Sequence, residues 1–201
     1  MKGLETRTLI IERSAELFNT RGYHGCSLAD IMEATQLQKG GIYNHFKNKD
    51  EIALAAFENS RDKMFKRFRS RLDKDNNPIA KLISIIDVFQ SFYHDPVVMG
   101  GCPIINTAVD SLGTHPELSQ KAKDAVDLLR NYVTIKVDEC KHAGLLKDQL
   151  GDLDLASMIV SSLEGALIFS RISKDDTQLN ATAAFLKQLV RSYQTDPNHV
   201  Q

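Results

Sequence analysis

Cysteine is scarce. The 201 residues hold three, Cys26, Cys102 and Cys140, an odd number with no paired spacing. That excludes the disulfide framework of a small secreted domain, and a chain of this length can bury a core without one. An excess of either charge is also missing: Lys and Arg number 25 against 26 Asp and Glu, a net of −1. The balance excludes a uniformly basic coater of nucleic acid and an acidic tail protein. Long apolar runs are absent as well. The most apolar stretch, Leu153 to Phe169, is broken by Asp154, serines and Glu164, so it is expected to be too short and too polar to span a bilayer. The N-terminus carries Glu5 and Glu12 and no clean apolar segment, so no signal peptide is expected. The expectation is a soluble, cytoplasmic protein of one full-sized domain or two small ones, with no membrane partner.

Signatures of catalysis are lacking too. The histidines at 24, 45, 94, 115, 142 and 199 show no metal-ligand spacing, and no Cys-x-x-Cys occurs, so no metal is expected. There is no phosphate-binding glycine loop, dinucleotide fingerprint or nucleophile elbow, and no cofactor is expected. A set of Cys102, His94 and Asp95 is near only in sequence. It keeps a thiol enzyme, or a helical small-molecule binder without DNA function, as the contrasting reading to a non-enzymatic one.

What the sequence does hold is helical periodicity. The apolar fraction is 42 % and the charged fraction 25 %, ordinary for a globular protein. Ile10/Ile11, Ala15 and Leu17/Phe18 recur at three-to-four spacing, with Gly22 as a stop. Ser27-x-x-Asp30 opens a short second helix. A third is expected over about Lys39 to Phe46, and Asn48-x-x-Glu51 starts a long fourth. Pro78, Cys102-Pro103, Thr114-x-Pro116, Asp152 and Asp175/Asp176 open five more. No strand alternation bounded by hairpin turns occurs. The expected fold is all-α, with about nine helices and no sheet, and the tail from Thr195 is expected to fray.

Two short helices after a longer one suggest a helix-turn-helix, whose second member would lie in a DNA major groove. Three short helices also pack together in unrelated domains. Lys39, Lys47 and Lys49 surround the short helix where phosphates would lie. Gly40 and Gly41 remove side chains and allow close approach. Gln38 and Asn44 are able to read a base, adenine especially. Over residues 1–50, Lys2, Arg7, Arg13, Arg21, Lys39, Lys47 and Lys49 barely outnumber Glu5, Glu12, Glu16, Asp30, Glu33 and Asp50, so the footprint must be a few placed cations.

These residues carry a resemblance. Arg7, Ile10, Ala15, Leu17-Phe18, Gly22-Tyr23, Ser27-Leu28 and Ile31, followed by the segment KGGIYNHFKNKDEI (Lys39 to Ile52), resemble the TetR family of transcriptional repressors. The match covers about the first 52 residues. It departs where the family usually has Ala-Gly-Val-Ser: here stand Thr35-Gln36-Leu37-Gln38, without the turn glycine and with Gln38 where a serine usually caps. The resemblance implies a DNA-binding head at 1–50 and a ligand-binding and dimerisation part at 51–201. It implies phosphate contacts from Tyr43 and His45, with Ser27 and Lys2 as further ones.

It also implies a homodimer on a palindromic double-stranded operator, with the last two helices as the interface. Ile159, Leu163, Leu167, Leu179, Ala183, Leu186 and Val190 are the candidates, in apolar excess over a single inner face. A cavity for a small-molecule effector, apolar or aromatic, is expected among Met64, Phe68, Phe89, Phe92, Ile105, Val109, Tyr132 and Phe169, with Asn106 and Glu164 to orient the ligand. Cys102, after Gly100-Gly101 at a helix start that favours thiolate, resembles the cysteine of a family subset that senses oxidants or electrophiles. Release through Cys102 is the alternative to release by ligand, and structural packing of the turn is the bland one.

Overall fold

The structure, a computed structural model, describes residues 2–147 and 151–195. Nine helices occur among the described residues: α1 (Lys2–Arg21), α2 (Leu28–Thr35), α3 (Lys39–Tyr43), α4 (Lys49–Leu72), α5 (Pro78–Ser91), α6 (Pro103–Ser111), α7 (Pro116–His142), α8 (Asp152–Ser173) and α9 (Thr177–Ser192). The only extended pairing among those residues is an isolated bridge between Leu146 and Gln194. The tail expected to fray falls, beyond Thr195, outside the described residues, as does the Lys2 side chain.

Local chemistry sets most helix ends. Ser27 and Asp30 form a capping box: each side chain accepts the other residue's backbone N–H. Asn48 Oδ1 accepts the Glu51 N–H at 2.8 Å, while Glu51 reaches past it to the Lys47 N–H at 2.7 Å. Asn77 caps α5 through the Ile79 N–H, with Pro78 in the first turn. The opening of α7 is capped by His115, whose Nδ1 accepts the Leu118 N–H at 3.2 Å. Asp152 does not cap α8: the cap position is Gly151, and Asp152 pairs with Lys141 at 2.6 Å instead.

The missing turn glycine has a substitute. Gln36 adopts the left-handed conformation that ends α2, at φ 57°, and its side-chain amide donates to the Glu33 carbonyl at 2.7 Å. A left-handed non-glycine residue is uncommon, and this local bond supports it.

The chain forms two compact units. The first comprises residues 1–65 and 96–125, the second residues 66–95 and 126–201, a division unlike 1–50 and 51–201. In the first unit, Ile10, Cys26, Ile31, Ile42, Phe46 and Ile52 make one buried cluster that joins α1, α2, α3 and the start of α4. Here α1 also packs on α6. Gly100 sits at φ +114° with the Asn19 carbonyl where a Cβ would stand, so that turn requires glycine. Asn19 donates to the Met99 and Gly101 carbonyls.

In the second unit α8 and α9 pack along each other and both meet α5. At 22 residues α8 is, by length and composition alone, long and apolar enough to cross a membrane, which corrects the expectation that this stretch is too short and too polar. It is instead a core helix: Leu155, Ile159, Leu163, Leu167 and the carboxyl-bearing Glu164 are all buried on it.

Candidate functional site

The third helix is short because its ends are drawn inward. Ile42 and Phe46 are buried in the cluster beneath it. The helix ends at Tyr43, not at Phe46 as periodicity suggested, and the turn after it, in which the His45 and Phe46 N–H groups share the Ile42 carbonyl, carries Phe46 into the core. What is left outward is a row: Gln38, Lys39, Gly40, Tyr43 and Asn44 are exposed, as is Lys47 just beyond, with Gly41 and His45 half-exposed. Gln38 holds the cap position with extended backbone but makes no side-chain cap bond. Lys39 Nζ rests 5.7 Å from the centre of the Tyr43 ring, so cation and aromatic present together.

Two expected phosphate contacts are differently engaged. The Ser27 hydroxyl donates to Asp30 at 2.5 Å as part of the cap, and that bond, first among its causes, holds the Asp30 carboxyl below its usual range. Lys49 is half-buried and its ammonium points inward. It donates to the carbonyls of Tyr23 at 2.8 Å and Cys26 at 2.9 Å and lies 3.9 Å from the Tyr23 ring centre. Two of the three N–H donors of its ammonium are thus engaged within the chain.

The sequence gives no signal for what surrounds Tyr23. Its O–H donates to Asp50, its N–H is taken by Asp110 on α6, and His115 stands edge-on to its ring at 4.8 Å. Burial first, then the Asp50 bond, pushes the phenol up to about 12. Beside it lies a cavity of about 20 Å³, lined by Phe18, Asn19, Ala56, Phe57 and Thr107 among others, room for about one water.

The expected effector residues are only partly brought together. Phe68, Phe89, Phe92 and Tyr132 form one aromatic cluster in the second unit, with Phe68 ring centres 5.4, 6.0 and 6.1 Å from the other three. Burial raises the Tyr132 phenol pKa. Glu164 is buried on α8 of the same unit. Met64, Ile105, Asn106 and Val109 belong to the first unit. Met64 is fully buried and Ile105 half-buried there. Val109 is 71 % exposed and Phe169 63 % exposed, so neither lines an interior cavity. The Asn106 amide is spent on the Gly100 carbonyl at 2.7 Å and on Asn19, a structural use.

Cys102 does begin α6, but it is 3 % exposed with its sulfur 3.9 Å from that of Met64. Its neighbours are those of a packed turn residue, closed to reagents. Cys26 and Cys140 are buried too, and burial pushes the Cys140 thiol up to about 12.

The residues expected at a dimer interface are already covered within the single chain. Ile159, Leu163, Leu167, Leu179, Ala183, Leu186 and Val190 are all buried within the single chain, filling its own core. The opposite faces of α8 and α9 carry the apolar surface left outside: Met158, Phe169 and Phe185 at 55, 63 and 60 % exposure, around a groove floored by Gly165, Ala166 and Ala181. Periodicity marked both faces as apolar without saying which one the chain covers itself.

Comparison with known proteins agrees with this geometry. Residues 10–56 match the model for bacterial regulatory proteins of the tetR family, and residues 78–186 match the tetracyclin repressor-like C-terminal domain. A crystal structure of a TetR transcriptional regulator from Chloroflexus aurantiacus superposes with a TM-score of 0.92 at 35 % identity, covering 96 % of this chain and 98 % of that one. An uncharacterised helix-turn-helix regulator of Lactococcus lactis is 26 % identical over 186 residues, 90 % of this chain and 91 % of its own. A helix-turn-helix transcriptional repressor of Mycobacterium tuberculosis, KstR2, is 29 % identical over 73 residues, 36 % of each chain. These relatives are regulators and not enzymes. With its helical fold, its exposed third helix and both family matches, the chain belongs to the tetR family and is a DNA-binding transcriptional regulator.

Proposed function

We propose that the protein is a homodimeric repressor that holds a palindromic duplex operator through α3 of each protomer and is released by a small apolar or aromatic effector. The observation that carries the DNA half is the exposed row of Gln38, Lys39, Gly40, Tyr43 and Asn44 standing on buried Ile42 and Phe46. Gln38 and Asn44 offer paired donors and acceptors to base edges, with Lys39, Tyr43, His45 and Lys47 set for phosphates. Gly40 and Gly41 leave the backbone bare, so the helix can seat closely.

A five-residue helix reads few base pairs, and a second copy doubles the reading. The exposed Met158, Phe169 and Phe185 supply an apolar patch for that second copy, in place of the buried residues first expected. A dimer seated on duplex excludes other proteins from it, which is repression, and the relative named a repressor supports that direction. This reading puts the protein in the cytoplasm, with bacterial DNA.

For release, the buried rings of Phe68, Phe89 and Phe92 and the half-buried ring of Tyr132 are a surface on which an apolar ring could insert. An effector works by preferring the state that does not bind DNA. The test is selection of bound genomic duplexes by the purified protein at low ionic strength. Enrichment of a two-fold symmetric site is the expected result. Absence of any enriched duplex would overturn the DNA reading, and a bound species with one protomer per site would overturn the dimer.

A further inference from the structure

One face of α1 runs along the exit of α3. Gly3 and Arg7 stand on that face, one helical turn apart. A Cβ on Gly3 would rest 3.8 Å from His45 Cε1, and the Arg7 guanidinium carbon lies 4.8 Å from the centre of the Phe46 ring. Ile10, on the next turn, is buried in the same cluster as Phe46, which fixes how α1 is rotated against α3. Phe46 is 2 % exposed, whereas Arg7 is exposed. The charged group therefore covers the ring at the surface of the head, where the chain runs from half-exposed His45 to exposed Lys47.

A cation over a ring is held by its charge and not by its N–H groups. The five donors of the guanidinium are thus left for another partner. No hydrogen bond or ion pair of Arg7 occurs among the described residues. Covering Phe46 needs only an apolar stem, which a methionine would supply without a charge. An arginine held in place with its donors open suits two parallel bonds to a phosphate.

We infer that Arg7 is a further DNA contact: it reaches from α1 to a backbone phosphate of the duplex held by α3, with the Phe46 ring fixing the guanidinium beforehand. The first helix is thereby part of the interface. Such a contact positions the head and carries no base sequence of its own. The inference rests on the DNA-interface reading above.

Ionic strength tests it. Each phosphate contact removed lowers the slope of log affinity against log salt by about 0.9, so a symmetric dimer losing one contact per protomer loses about 1.8. The experiment measures binding of the full chain to the duplex enriched from genomic DNA, over a potassium chloride series. Wild type is compared with Arg7→Met, Arg7→Gln and Arg7→Lys. Arg7→Met keeps an apolar cover on Phe46, and Arg7→Gln is the neutral variant that decides should the methionine fail to fold. Both should bind more weakly and lose slope: over about a fourfold rise in salt, wild type should lose about twelvefold more affinity than they do. Arg7→Lys keeps the charge without the fork and should bind more weakly than wild type. The wild-type slope in a folded neutral variant would overturn the inference, because Arg7 would then be a cover for Phe46 alone. Wild-type affinity in Arg7→Lys would overturn the two-bond contact. If wild type binds no duplex at all, the interface reading fails instead, a separate result.

Discussion

Asp110 on α6 accepts the backbone N–H of Tyr23 at 2.7 Å, across 87 residues of sequence. The chain leaving α1 turns at Gly22, φ +75°, and a Cβ there would meet the same carboxylate at 2.5 Å. Three features, a left-handed glycine, a half-buried N–H and a downstream carboxylate, therefore depend on one another. Asp110→Ala leaves the N–H without its charged acceptor, which costs about 1.5–3 kcal/mol. For a chain of this size the melting temperature should fall by about 3–12 °C. Thermal unfolding followed by circular dichroism checks it, and a variant that melts with wild type would show that the tie carries no load.

Gly40 and Gly41 are not required by the fold. Neither has positive φ, a Cβ on Gly40 would meet nothing within 4 Å, and one on Gly41 would rest against Leu37 at an ordinary 3.7 Å. Alanine at either position should therefore stabilise the chain, by up to about 1 kcal/mol each from helix propensity. It should at the same time weaken duplex binding, since the added methyl stands between helix and DNA. Opposite signs for folding and binding are the expected pair of results. Alanine variants that bind operator as wild type does would mean that the backbone does not approach the duplex there.

How much could be read in advance follows from the range of each interaction. The Ser27-x-x-Asp30 cap, the Asn48 cap and the buried Ile31, Ile42 and Phe46 are local or periodic, and the sequence displays them directly. The exposed row of α3 was legible for the same reason: what the core leaves out of a short helix is its outer face. The inward contacts of Lys49 were not, because its partners are carbonyls 26 and 23 residues away, which no side-chain pattern announces. Nor was the outward position of Phe169 legible, since α8 is apolar on two sides and only the packing of α9 and α5 decides which is inner.

That two-sided helix makes the dimer testable. Phe169→Glu with Phe185→Glu places charge on the exposed face and should leave each chain folded but monomeric by sedimentation, with operator affinity lost. Leu163→Ala, on the buried face, should instead cost about 2–5 kcal/mol of stability in each chain, the range for a core leucine. If the glutamate pair still sediments as wild type does, the association surface lies elsewhere.

The last prediction concerns pH. The Tyr23 phenol is raised from 10.0 to about 12 in the folded chain, by burial first and then by its bond to Asp50. The fold thus favours the protonated form. Its contribution is complete below the unfolded value near 10.0 and is lost as pH rises through about 12. In that window the phenolate must face the Asp50 carboxylate across a bond that needs the proton, so the segment around Tyr23 should loosen first. Ultraviolet titration should find Tyr23 and Tyr132 ionising late among the five tyrosines, and Tyr23→Phe should shrink the late absorbance step by one phenol. The phenylalanine variant should also lose stability less steeply than wild type between these two pH values. A late step of undiminished amplitude in Tyr23→Phe would assign it wholly to other phenols and remove the Asp50 bond from the account of this loop.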